Sequence, residues 1–263
     1  MSLNALLVSW NQFLSFSAPF AKTRAAREVF WSGCAAMKLG SELISRSYAA
    51  LREAQPALGF SSFCCAKPSF AVGSEEQKNR RRTQLAHEFE RSGIEKVYTL
   101  CPNCRRTLAR EFDIQVLSAW PLLADYAEKR PQMATGFQNQ TYRIHDPCAD
   151  REDWLSQNAA RRILQARQIA SSEFSHRLAQ TRCCGRRDML FITKPAAAQN
   201  MLEERLAEAE GSTILSYCES CVEAFRSAGS ESYHLLEILF DQKAFRSTRN
   251  RILNARRETR HAR

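Results

Sequence analysis

Nothing in this 263-residue sequence reaches the roughly 18–20 consecutive apolar residues that a membrane-spanning helix requires. The first twenty residues carry no basic start and no convincing small-residue cleavage site, which argues against a secretion signal. No basic platform interleaved with aromatics is present, which argues against nucleic acid as the partner. A disulfide scaffold belongs to small secreted chains, and this chain is too long and lacks an export signal. What remains is the composition of a soluble globular protein, 44% apolar and 25% charged, with length for one large domain or two small ones. A cytoplasmic location is expected.

The net charge of +10 is uneven. From Lys243 to Arg263 there are eight basic residues against Glu258, so this end carries +7 and the rest of the chain +3. It reads either as a solvated basic tail or as a patch for an acidic protein or anionic lipid. At the other end Leu6, Leu7, Val8, Trp10, Phe13, Leu14 and Phe16 form a mildly apolar stretch. It reads as an amphipathic helix that docks on a partner or lies peripherally on a membrane surface.

Ten cysteines carry the organisation of the chain. Adjacent cysteines send their side chains in different directions and invite metal or oxidation, so Cys183-Cys184 and its echo Cys64-Cys65 are poor core filler. The first half reads Cys34, 29 residues, Cys64-Cys65, 35 residues, Cys101-x-x-Cys104. The second reads Cys148, 34 residues, Cys183-Cys184, 33 residues, Cys218-x-x-Cys221. The repeat uses every cysteine, five in each half. Such spacing in a cytosolic chain signals metal or redox chemistry. Structural zinc closes with four ligands, leaving one thiol over in each half. Iron–sulfur clusters also usually take four, and a fifth is used when a cluster is opened or a thiolate bridges two irons. A dithiol redox role for each Cys-x-x-Cys leaves the other cysteines unexplained.

The same order recurs in the predicted elements. Glu28-Val29-Phe30-Trp31 reads as a buried strand running into Ser32-Gly33-Cys34, and 94–100 as a strand delivering Cys101. A helix follows Gly33 through Leu39, Leu43, Ile44, Tyr48 and Leu51, and Ser74 with Gln77 marks the start of another, its arginines 80–82 read as solvated. In the second half 141–144 leads to His145-Asp146-Pro147-Cys148, and Ile214-Leu215 to Cys218. Strands alternating with helices predict an α/β fold of two similar lobes, each a small parallel sheet with flanking helices. Cysteines where strands end and helices begin occupy the edge where open sheets bind ligands. The lobes are expected to face each other with the cysteines at the junction. The expected domains are an N-terminal extension 1–27, lobes 28–136 and 137–242, and a basic tail 243–263.

The motifs Gly33-Cys34, Cys64-Cys65, Cys101-Pro102-x-Cys104, His145-Asp146-Pro147-Cys148, Cys183-Cys184-Gly185 and Cys218-x-x-Cys221 resemble the cysteine-rich, or CCG, domain family. The nearest pattern is the B subunit of heterodisulfide reductase, which carries two such motifs. The resemblance covers about residues 29–240. It implies an iron–sulfur oxidoreductase subunit in which Cys34, Cys64, Cys65, Cys101 and Cys104 hold one noncubane [4Fe–4S] cluster. Cys148, Cys183, Cys184, Cys218 and Cys221 would hold the other. It further implies electron transfer to a disulfide or other small acceptor. Some relatives keep zinc in one motif, and a zinc-holding partner-binding protein is the alternative class. The four-cysteine ferredoxin run that many relatives carry is absent, so a ferredoxin-like or flavoprotein donor would be a separate chain. Ala66 stands where the family usually has glycine, and Glu219 where it has proline.

Around the motifs, His145 either is held by hydrogen bonds behind the ligands or supplies protons as a catalytic residue near neutral pH. Arg186 and Arg187 read as surface charge that can attract an anion or tune the site. Trp31 and Trp154 read as core or interface anchors.

Overall fold

The computed structural model describes residues 10–260. Leu6, Leu7 and Val8 of the apolar N-terminal stretch lie outside the described residues. The chain divides into two compact units. One runs to Ala119 and takes in the C-terminal segment from Phe245; the other is Trp120–Ala244.

In the first unit a helix over residues 10–15 (α1) precedes β1 (Thr23–Arg24) and β2 (Glu28–Trp31). Then follow α2 (Ser41–Ala54), β3 (Gly59–Ser61), α3 (Lys67–Val72), α4 (Glu75–Ser92), β4 (Lys96–Thr99), α5 (Pro102–Glu111) and β5 (Gln115–Ser118). The sheet order is β1-β3-β2-β4-β5, and β1 alone pairs antiparallel. β2 forms because Val29, Phe30 and Trp31 suit a buried strand, and all three are buried. Phe30 packs on Phe60 and Tyr48, at 5.8 and 6.1 Å between ring centres, which ties β2, β3 and α2 together. The start of α4 is fixed as the sequence implied: Ser74 Oγ accepts from the Gln77 N–H, and Gln77 Oε1 accepts from the Ser74 N–H.

The second unit repeats this plan: α6 (Trp120–Lys129), β6 (Tyr142–His145), α7 (Trp154–Ala166), β7 (Ser171–Glu173), α8 (Leu190–Thr193) and α9 (Pro195–Ala209), then β8 (Thr213–Ser216), α10 (Glu219–Ser227), β9 (Ser232–His234) and α11 (Leu235–Leu239). Its sheet order, β7-β6-β8-β9, is parallel throughout and matches β3-β2-β4-β5 strand for strand. β2 lies between β3 and β4, and β6 between β7 and β8, so in each repeat the leading strand sits between the two that follow it. Connections therefore diverge at β2/β4 and at β6/β8, the switch points where open parallel sheets leave a crevice at their carboxyl edge.

Several details differ from the sequence reading. α6 lies in the second unit, packed on α7, where Arg162 pairs with Asp125 and Glu128 and the Arg167 guanidinium donates to the Ala127 and Arg130 carbonyls. The division thus falls at residue 119/120, ahead of the boundary read at 136. The C-terminal segment forms α12 (Thr248–Arg260) and packs on the first unit. Asn254, fully buried, donates to the Met37 carbonyl at 2.9 Å, and Asn250 to that of Lys38 at 2.9 Å. Arg251 donates to Ser15 Oγ and lies over the Phe20 ring, so cationic side chains here bury their stems on apolar surface. Arg81 is likewise buried, over the Phe16 ring at 4.2 Å, not solvated. Trp31 is core, whereas Trp154 is 65% exposed on α7. No helix among the described residues is long and apolar enough to cross a membrane.

Candidate functional site

In the first unit the five sequence-predicted cysteines come together beyond the carboxyl ends of β2, β3 and β4. β2 hands the chain to Cys34 through Gly33, whose φ of +81° is left-handed backbone. A Cβ on Gly33 would stand 3.0 Å from Cys101 Cβ and 3.3 Å from Cys104 Sγ, so glycine lets this turn press against the Cys-x-x-Cys motif. Cys34 and Cys64 Sγ are 3.8 Å apart. The Cys104 and Cys64 thiols both donate to Cys65, which lowers it to about 5. Cys101 caps α5, Pro102 supplies its first turn, and the Cys101 N–H donates to Thr99 Oγ1 at 3.2 Å.

Two residues far away in sequence also reach this site. Gln12, buried on α1, donates from Nε2 to Cys64 Sγ at 3.5 Å while its Oε1 accepts from Ser69 Oγ. Arg251 of α12 is close enough for its charge to act on Cys34, whose thiol is raised chiefly by the Cys64 contact and burial.

The second unit assembles its five in the same way beyond β6, β7 and β8. Cys184 and Cys221 Sγ are 3.2 Å apart. Cys183 is lowered to about 2 because the Cys148 and Cys184 thiols donate to it, joined by the backbone N–H groups of Arg187 and Gly185. The Arg186 backbone N–H acts on Cys184 as that of Arg187 does on Cys183, while the Arg186 side chain stacks on Phe191 at 4.3 Å and that of Arg187 pairs with Asp188. The Cys218 N–H donates to Ser216 Oγ at 3.4 Å, the counterpart of Cys101 on Thr99. Both hydroxyls stand two residues before the Cys-x-x-Cys motif, a signal that aligning the two halves would have found. Gln12 and Arg251 have no such signal, because they come from outside the repeat.

Asp146 fastens the segment that leads to Cys183 onto β6. Fully buried, it accepts both terminal nitrogens of Arg161 at 2.9 Å and the Leu178 N–H at 2.9 Å, while its carbonyl accepts from Thr181 Oγ1. Its neighbour His145 is fully buried, and one ring nitrogen lies within 4.8 Å of Cys184 and Cys221 Sγ. Nδ1 accepts from Arg205 Nε at 3.0 Å, and the ring packs edge-on to Phe225. Burial, reinforced by the Arg205 charge, keeps this imidazole well below its usual pKa and hence neutral.

Two parallel-sheet units, each gathering five thiols at its switch point, define a tandem cysteine-cluster protein suited to metal binding or redox chemistry. The cysteine-rich domain (CCG) family model matches residues 29–109 and 142–226, more than half of the chain, and the chain belongs to that family with the domain present twice. No curated protein matches the chain. Among solved structures it is similar to an aspartate racemase from Picrophilus torridus, at 12% identity and a TM-score of 0.34, covering 87% of this chain and 100% of that one. It is also similar to an aspartate racemase homologue from Pyrococcus horikoshii OT3, at 14% identity and a TM-score of 0.29, covering 88% and 99%.

Proposed function

We propose that the chain is an iron–sulfur oxidoreductase subunit similar to the B subunit of heterodisulfide reductase. Cys34, Cys64, Cys65, Cys101 and Cys104 would hold one [4Fe–4S] cluster, and Cys148, Cys183, Cys184, Cys218 and Cys221 the other, each noncubane. The observation that carries this reading is that each unit brings together all five of its cysteines, by direct thiol contacts such as Cys34–Cys64 and Cys184–Cys221. A closed tetrahedral zinc site would use four and leave a fifth thiol buried without purpose. The donor set fits iron–sulfur ligation: thiolates at helix starts, backbone N–H groups aimed at Cys183, and buried surroundings.

A bound cluster supplies one-electron reduction at a potential set by its ligands and hydrogen bonds. The residues of the chain do the rest. The Gly33 and Gly185 turns let the ligand loops close, Asp146 and Arg161 hold the second set in place, α1 sets Gln12 on Cys64, and α12 brings the Arg251 charge to bear on Cys34. Electrons would come from a separate ferredoxin-like or flavoprotein subunit and pass to a disulfide or other small acceptor. The exposed cations of α12 suit an acidic protein or a membrane surface.

Metal analysis of anaerobically purified protein tests the reading. Iron and sulfide for two clusters, with paramagnetic resonance signals unlike an ordinary cubane, are expected. Cys184→Ser should remove about half of the iron. Zinc alone, with no acid-labile sulfide, would replace the redox reading with a structural, partner-binding one.

A further inference from the structure

Among the described residues, each unit leaves one buried ring N–H without a partner, at the same place in the repeat. β2 ends on Trp31 and β6 on His145, each three residues before its leading cysteine, Cys34 or Cys148. Both side chains are 0% exposed, and neither Trp31 Nε1 nor His145 Nε2 has a hydrogen-bond partner. An unpaired buried polar group is costly, so two at matching positions call for a physical reason. Their surroundings match as well. A ring nitrogen of His145 lies within 4.8 Å of Cys184 and Cys221 Sγ. Trp31 shares one buried cluster with Cys65 and Cys104, the counterparts of those two cysteines.

For His145 the state of Nε2 follows from Arg205. A guanidinium has donors only, and Arg205 Nε donates to Nδ1 at 3.0 Å. Nδ1 must therefore present its lone pair, which places the proton of the neutral ring on Nε2. Arg205 is itself immobilised: it donates to Glu208 Oε2 at 2.7 Å and to the His176 carbonyl at 2.9 Å, and it lies 3.6 Å from the Phe174 ring centre. Nε2 cannot ligate a metal without giving up this proton, and Nδ1 cannot take up a proton without losing Arg205.

We infer that Trp31 Nε1–H and His145 Nε2–H are matched donors, each reserved for a sulfur of the cluster held by its own five cysteines, with Arg205 as the positioning residue that fixes the His145 tautomer. This rests on the iron–sulfur reading above and adds how the two sites are tuned. Hydrogen bonds to cluster sulfur favour the more negative, reduced state and raise the potential.

The test measures reduction potentials, by paramagnetic resonance titration, of the full chain loaded anaerobically, as wild type, Trp31→Phe, His145→Leu and His145→Gln, with iron and sulfide measured on each. Glutamine keeps an acceptor for Arg205 and an N–H donor but has no titratable group; leucine has neither. Trp31→Phe and His145→Leu are each expected to lower one site's potential, by about tenfold in the reduced-to-oxidised ratio, equal to about 59 mV for one electron. His145→Gln should stay near wild type. Unchanged potentials in the first two at full iron, or a glutamine variant as low as leucine, would overturn the assignment. A second measurement covers variants that do not fold. Nitrogen-15 resonance of histidine-labelled full chain, reduced and metal-free, should place the His145 proton on Nε2, and a proton on Nδ1 would overturn the assignment. Absence of iron and sulfide from the wild type would sink the iron–sulfur reading instead, and the tautomer is read independently of it.

Discussion

Gly185 and Ala66 follow the two adjacent-cysteine pairs, and both take left-handed backbone, at φ +81° and +58°. Only one tolerates a side chain. A Cβ at Gly185 would stand 2.3 Å from the Ala198 carbonyl oxygen at the start of α9, so the Cys183-Cys184 loop approaches that helix too closely for any other residue. The left-handed conformation costs about 1–2 kcal/mol with a Cβ, and overpacking adds about 1–3. Gly185→Ala should therefore destabilise the protein by about 2–5 kcal/mol in denaturant unfolding. Ala66→Gly relieves similar backbone strain but removes a buried methyl worth about 0.8 kcal/mol, and should be close to neutral. Equal effects of the two substitutions would refute this account. The sequence made the departure at Ala66 visible, but not that backbone geometry is shared while close approach is not. The ten cysteines were legible because the repeat uses all of them; Gln12 was not, since an amide acquires its role only when α1 folds back over a residue 52 positions on.

Legibility at the level of elements followed burial. β2, β4, β6 and β8 carry β-branched and aromatic residues and were read close to their true bounds. The edge strands β1 and β7 were not, because Thr23–Arg24 and Ser171–Glu173 offer no apolar pattern. The stretch after β7 is held to α9 by Glu208, which accepts the His176 N–H at 2.6 Å and Arg205 Nη1 at 2.7 Å. Burial alone would raise this carboxyl. The His176 N–H and Arg205 outweigh it and hold the group at about 2, below its free value of 4.5. The folded state therefore binds fewer protons than the unfolded one through that interval. The stabilisation is complete above about pH 4.5 and fades as pH falls toward 2. Thermal unfolding followed from pH 7 to pH 3 should show a steeper acid loss in wild type than in Glu208→Gln; parallel curves would rule out the clamp.

Across the whole molecule, the internal repeat was legible from cysteine spacing, and the boundaries were not. Charge pattern suggested either a solvated tail or a patch for an acidic protein or anionic lipid; α12 packs on the first unit and completes it, and α6 belongs to the second because its partners are on α7. The second unit is one continuous segment, Trp120–Ala244, whereas the first is split. Residues 120–244 produced alone should fold cooperatively and, on the iron–sulfur reading, retain about half of the iron. Residues 10–119 alone lack the Asn254 and Asn250 contacts and should not give a cooperative transition. Failure of the 120–244 segment to fold would contradict the division.

α12 also sets an order of birth. The helix that completes the first unit is synthesised after the whole of the second, so a ribosome finishes the later unit while the earlier one still waits for its last helix. On the iron–sulfur reading, maturation would run against the direction of synthesis, with the second cysteine set ready to be filled first and the first left longest in an unfinished unit.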